Sequence, residues 1–75
     1  MKLSYWWTYE LGVLADWQGP YSKQEQALFA AQRDGNAHHT VHIKSMQELG
    51  PGMRVETGYT QTFAPNSIDQ LLRRR

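Results

Sequence analysis

A chain of 75 residues without cysteine can form one small domain, and neither a disulfide nor a cysteine zinc site can stabilise it. Folding at this length buries roughly 60% of the surface of the unfolded chain, which leaves little interior for a cofactor cavity. These limits disfavour a self-contained enzyme. We expect a single domain over residues 1–75, with no catalytic residues and no cofactor.

The charge is unevenly distributed along the chain. The formal net charge is +1, from eight basic and seven acidic residues. Three of the eight are Arg73, Arg74 and Arg75, so residues 1–72 hold five basic against seven acidic side chains. A protein that grips duplex DNA broadly would carry a basic face. The sequence instead predicts a mildly acidic body with a basic end.

The first ten residues lack the marks of a secretory signal, because they contain no uninterrupted apolar stretch and no small-residue cleavage site. No run of the sequence approaches the roughly 20 apolar residues needed to span a bilayer. We therefore expect a cytoplasmic protein without membrane contact.

The N-terminal segment alternates in the period-two pattern of a half-buried strand. One face would carry Leu3, Tyr5, Trp7, Tyr9 and Leu11, and the other Ser4, Trp6, Thr8 and Glu10. Gly12 offers a bend, after which residues 13–15 form a short return. The glycine and proline of residues 16–20 predict a turn.

A helix is predicted to follow, because residues 22–25 have the capping-box pattern, with Ser22 at the N-cap and Glu25 three residues later. It should run through Arg33 and end near Gly35. Its packed face would consist of Ala27, Leu28 and Ala31, and the small alanines would allow close approach to a sheet.

The second half of the chain predicts two further strands and a short helix. Alternation predicts one strand over 39–44 and another over 53–63, separated by a glycine- and proline-rich loop over 49–52. A second capping pattern at 67–70 predicts a short C-terminal helix within 66–75. The fold class is therefore α+β: a three- to four-stranded, mainly antiparallel sheet with a central helix on one face and a short C-terminal helix.

The three histidines at His38, His39 and His42 do not predict a metal site. On a strand, His38 and His42 face the same side but lie about 13 Å apart, too far to share an ion. No carboxylate in the nearby sequence completes a three-ligand site. A solvated strand face is the favoured interpretation.

Trp6 is the first candidate binding residue, because it must point away from the face that carries Tyr5, Trp7 and Tyr9. A large aromatic side chain on an uncovered sheet face is a plausible anchor for a partner. The alternatives are that the C-terminal helix or a second copy of the chain covers it.

The C-terminal segment is the second candidate. An apolar stripe of Ile68, Leu71 and Leu72 precedes Arg73, Arg74 and Arg75. The stripe could dock on the domain's own sheet, with the arginines at the negative end of the helix dipole. Docking on its own sheet is the favoured interpretation; the alternative is that the stripe docks on a partner, with the arginines meeting phosphate or an acidic surface.

Together these features predict a small non-enzymatic regulator or adaptor that binds another protein and could self-associate as a homodimer. By size it resembles a bacterial or phage accessory factor. The rival hypothesis is a nucleic-acid-binding protein that stacks bases on its exposed aromatics and contacts phosphates through Lys44, Arg54 and the C-terminal arginines.

Overall fold

A computed structural model of the protein describes residues 2–73, and it has the α+β fold that the sequence predicts. Over that range the chain forms five strands and two helices. In order they are β1 (Lys2–Leu11), β2 (Val13–Leu14), β3 (Gln18–Tyr21), α1 (Gln24–Arg33), β4 (Thr40–Gly50), β5 (Met53–Phe63) and α2 (Ser67–Arg73).

The strands form one antiparallel sheet that is four strands wide. β1 pairs with β4 without interruption, from Lys2 opposite Glu48 to Glu10 opposite Thr40. β4 pairs in turn with β5. The other edge of β1 pairs with β3 near Tyr5 and with β2 at the end of the strand. β5 is thus an outer strand of the sheet described here.

The core lies between the sheet and α1, on the face we call the helix side. Trp7, Val41 and Ile43 lie next to one another across β1 and β4 and are at most 2% exposed. Ala27 and Ala31 of α1 are also fully buried, because methyl side chains let the helix approach the sheet closely. The alternation of β1 therefore predicted the helix-side face correctly for Trp7, with Tyr5 and Tyr9 packing at the margin of the core. Leu3 and Leu11, predicted on the same face, are 42% and 63% exposed.

The predicted turn over residues 16–20 is wrong in its second half, because Gln18–Tyr21 forms strand β3. Gly19 and Pro20, joined by a cis peptide bond, oppose strand formation by their local chemistry. They are tolerated because β3 lies at the edge of the sheet. An edge strand has no neighbour on its outer side, so the backbone N–H that proline lacks is not needed for pairing there.

The predicted loop over residues 49–52 is also wrong in part. β4 continues well past Lys44 to Gly50, and only Pro51 and Gly52 form the turn to β5. Gly52 has a φ of 74°, which a side chain would disfavour, so glycine suits this tight connection. The resulting β4–β5 hairpin is the longest in the sheet.

Helix α1 begins at Gln24, and its N-cap is Lys23, one residue later than the predicted N-cap at Ser22. Lys23 occupies the N-cap without a side-chain hydrogen bond to cap the helix. Ser22 instead pairs with Gln26, whose Oε1 accepts from the Ser22 hydroxyl at 2.9 Å. The predicted end is confirmed: Gly35 has a φ of 77°, and Asn36 N–H returns to the Ala31 carbonyl at 3.0 Å.

Helix α2 lies beside α1 on the helix side of the sheet. Its Ile68 is fully buried in the core, and Asp69 accepts a 2.8 Å hydrogen bond from Gln32 of α1. A 2.8 Å hydrogen bond from Asn66 N–H to the Ala37 carbonyl holds the turn before α2 against the loop that follows α1. Both described helices therefore pack on one face, and neither covers the opposite face, which we call the open face.

Candidate binding surface on the open face

A loop, not a helix, partly shelters the open face. The Thr8 hydroxyl donates to the carbonyls of Ala15 at 2.7 Å and Asp16 at 3.3 Å. These bonds hold residues 15–17 against the sheet and bury Thr8 completely. They also place Trp17 above the open face, beside Lys44 of β4.

Trp6 lies on the same face and is held from two sides. Its Nε1 donates to Ser4 Oγ at 3.1 Å, two residues away on the same face of β1. A Cβ added at Gly19 would lie only 2.7 Å from Trp6 Cδ2, so the β3 backbone packs directly on the indole ring. The ring remains partly exposed. Trp6 is therefore a fixed aromatic surface.

Two cations sit over these two rings. The Arg54 guanidinium carbon lies 5.3 Å from the centroid of Trp6, and Lys44 Nζ lies 4.3 Å from that of Trp17. Both distances are within the range of a cation–π interaction. With Met46 they border a shallow concavity of about 290 Å³. We call Trp6, Trp17, Lys44, Met46 and Arg54 the indole patch.

Carboxylates neutralise the cations of the indole patch. Arg54 Nε lies 2.8 Å from Glu48 Oε1, and Lys44 Nζ lies 3.1 Å from Glu56 Oε1. Further along the face, Glu10 Oε1 lies 3.1 Å from His42 Nε2. The charges of Lys44 and Arg54 in the indole patch are therefore balanced by neighbouring carboxylates.

The structure separates the two predicted anchors. Trp6 lies on the open face, as predicted, whereas the C-terminal stripe lies on the helix side. Ile68 is a core residue of its own domain and cannot contact a partner in this conformation. Leu72 is partly buried against the same core, whereas Leu71 is 44% exposed.

The arginines continue from the end of α2. Arg73 ends the helix with its side chain exposed. Arg74 and Arg75 lie outside the described residues, so the structure does not place these two predicted contacts.

Two residues of the indole patch were not singled out from the sequence. Met46 shares the parity of Lys44, and extending the β4 alternation by two residues would have put it on the open face. Trp17 carries no such periodic signal, because it lies in a loop whose position depends on the Thr8 hydroxyl.

The histidines do not converge on one point. His38 and His39 pack with ring centroids 4.0 Å apart, and His39 stacks on Tyr9 at 5.5 Å. His42 lies on the open face, with Nδ1 3.1 Å from Thr62 Oγ1. Within residues 2–73, no three His, Cys, Asp or Glu side chains are grouped to hold a metal ion.

A second concavity lies on the helix side, where the β4–β5 hairpin extends past the end of α1. It has a volume of about 450 Å³, and its walls include Leu3, Tyr5 and Thr57. The Tyr59 hydroxyl closes one rim by donating to Gln61 Oε1 at 2.6 Å. Gln24 of α1 borders the same concavity.

Fold and surface define a class: a small antiparallel α+β domain with both helices on one face and an aromatic patch on the other. Comparison of the chain with known protein families, curated proteins and solved structures gave no match. Of the two helices described, of 10 and 7 residues, neither has the length and apolar character to cross a bilayer.

Proposed function

We propose that this protein is a non-enzymatic binding module, a small regulator or adaptor, that engages another protein through the indole patch. The observation that carries the proposal is the pair of partly exposed indoles, Trp6 and Trp17, on a sheet face that neither described helix covers. Both rings are held in place before any partner arrives, so binding would cost little side-chain entropy.

The composition of the patch supports a protein partner. Tryptophan and arginine dominate the energetic centres of protein interfaces, and methionine is enriched there as well. Trp6, Arg54 and Met46 bring these three residue types together. The surrounding ion pairs would form a polar rim of the kind that excludes water from such a centre.

The charge pairing supports a protein over a nucleic acid. Phosphate binding draws its affinity from basic groups that are free to replace counterions. Lys44 and Arg54 each already have a carboxylate within 3.1 Å, so an approaching phosphate would meet Glu56 and Glu48 as well. Arg73, Arg74 and Arg75 remain a possible auxiliary contact with an acidic surface of the partner.

The proposal includes a cytoplasmic location and a role as a bacterial or phage accessory factor. Both rest on general features of the sequence, namely its size and its lack of cysteine.

The test compares the wild type and three variants as immobilised baits and measures how much of each host protein they capture from a lysate of the native host. Trp6→Ser and Trp17→Ser each remove one indole of the patch, and Val13→Ser is the control, because Val13 is 76% exposed but lies on β2. We expect each tryptophan variant to weaken capture of a retained protein by about tenfold or more, while the control behaves as the wild type.

Retention should also persist as salt is raised, since an apolar contact is screened far less than contacts to several phosphates. The proposal is wrong if both tryptophan variants fold normally and retain the same proteins as the wild type. It is also wrong if the retained species is nucleic acid that is released steeply by salt.

A further inference from the structure

The outer edge of β5 is the longest unpaired strand edge in the described sheet. β5 is 11 residues long, ten of them exposed, and it has no further strand beside it in the described sheet. An unpaired strand edge presents amide and carbonyl groups that can pair with another strand. Met53 is 61% exposed and Val55 is 44% exposed on this strand.

Two glycines bound a short regular segment of this edge. Gly52 and Gly58 have φ values of 74° and 85°, and the five residues between them are extended. Arg54, Val55 and Glu56 pair with consecutive residues of β4, so this stretch is in register, and the pairing shifts register on either side of it. Its outward edge is therefore suited to pair with one further strand.

The sequence of this segment is complementary to itself when one copy runs antiparallel to another. A two-fold axis perpendicular to the sheet keeps each face on its own side, so it must pass midway between the two copies of one residue, which then lies opposite itself. With the axis at Val55, Arg54 of each copy lies opposite Glu56 of the other, and Gly52 lies opposite Gly58. An axis at Arg54 or Glu56 would instead place two like charges face to face.

The charge pattern extends across the neighbouring strands. Arg54 already contacts Glu48 of β4 at 2.8 Å, and Lys2 of β1 lies opposite Glu48. Adding Glu56 of the second copy would continue the row on the open face as positive, negative, positive, negative. Opposite charges in cross-strand pairs stabilise a sheet, and like charges destabilise it.

From this self-complementarity we infer that the occupant of the β5 edge is a second copy of this chain. The two chains join through Met53–Thr57 into one continuous sheet eight strands wide. On the helix side, Val55 meets its own counterpart, and Met53 lies opposite Thr57 of the second copy. Charged side chains protect an edge strand against arbitrary pairing. Here the charges of Arg54 and Glu56 instead favour the one register that is centred on Val55. Arg54 is the one residue of the indole patch that lies on the pairing strand. Trp6 and Trp17, whose variants test the proposed function, lie outside β5, so the dimer and the proposed function fail independently.

The test uses charge reversal in two separate chains. Arg54→Glu makes all four facing side chains of a self-pair acidic, and Glu56→Arg makes all four basic. Each variant alone should raise the dimer dissociation constant by roughly tenfold or more over the wild type. When the two variants are mixed, every pair is again opposite in charge, so a heterodimer should form. Sedimentation equilibrium measures the dissociation constants, and native mass spectrometry identifies the heterodimer.

A second variant tests the register without changing charge. The chain has no cysteine, so Val55→Cys introduces a single thiol that faces its own counterpart at a distance near that of a disulfide. We expect it to form a disulfide-linked dimer at least tenfold faster than Val13→Cys, whose position is more exposed.

The short pairing segment implies a weak dimer, with a dissociation constant between about 10 µM and 1 mM. A wild-type chain that is still monomeric at about 1 mM overturns the inference. So does a dimer that both charge reversals leave unchanged, a mixture without heterodimer, or equal crosslinking rates for the two cysteine variants.

Discussion

Trp6 and Trp7 are neighbours in sequence but have opposite roles, because successive side chains of a strand point to opposite faces. Trp7 is 2% exposed in the core, and its Nε1 has no hydrogen-bond partner among the described residues. Its contribution to stability is therefore the apolar area of its ring. Trp6 is partly exposed, and its Nε1 bonds to Ser4 at the surface.

This difference predicts unequal losses of stability on truncation. Trp7→Ala should lower the free energy of unfolding by about 3–5 kcal/mol, because it removes a buried ring and leaves a cavity. A domain of this size has a total stability on the order of 5 kcal/mol, so this variant should retain no more than about 2 kcal/mol. Trp6→Ala should lose about 1 kcal/mol. Urea denaturation followed by circular dichroism measures both, and equal losses would contradict the assignment of Trp7 to the core.

At the scale of elements, α2 is a seven-residue helix, which is too short to be stable in isolation. It persists because Ile68 is fully buried against the core and Asp69 bonds to Gln32 of α1. Its dependence on a single buried residue makes it easy to detach.

We expect Ile68→Ala to lower the free energy of unfolding by about 2–5 kcal/mol, which is typical of a buried aliphatic side chain. Leu71→Ala is the matched control on the same helix, because Leu71 is 44% exposed, and it should lose less than about 1 kcal/mol. Thermal or urea unfolding of the two variants gives the comparison. A larger loss for Leu71 would mean that the helix docks through a different face.

The elements that could be predicted from sequence are those in which local pattern and tertiary pairing agree. Alternation identified the buried face of β1 through Trp7 and the whole of β5, and alanine spacing identified the packed face of α1. The failures lie where tertiary pairing overrides local preference. Gly19 and Pro20 favour a turn by their local chemistry, but they form strand β3 because they pair with the free edge of β1. The glycine and proline of residues 49–52 likewise favour a loop, although β4 extends to Gly50, which pairs with Met53 of β5.

The candidate site was only half predictable for the same reason. The position of Trp6 follows from the period of a single strand. Trp17 reaches the patch because Thr8 binds a loop seven residues ahead of it in the chain, and nothing local to Trp17 signals that contact.

For the whole molecule, the sheet pairing predicts a gradient of amide protection. β1 and β4 are paired along both edges, and they border the core, so their amides should exchange most slowly. Outward amides of β5 in the monomer should exchange fastest among the strands. Hydrogen–deuterium exchange read by mass spectrometry at low and high protein concentration would separate these regions. Protection of residues 53–57 should rise with concentration if the second copy pairs there, while that of β1 should not.

The pairing of β1 with β4 also bears on how the chain is made. The two pairing residues closest in sequence, Glu10 and Thr40, are separated by 30 positions, so translation at about 5–20 residues per second leaves β1 without this neighbour for about 2–6 s. During that interval only the short strands β2 and β3 can pair with it, and so small a meander is marginally stable. The nascent chain would therefore display Tyr5 and Trp7 on the ribosome, where a chaperone can bind them before β4 emerges.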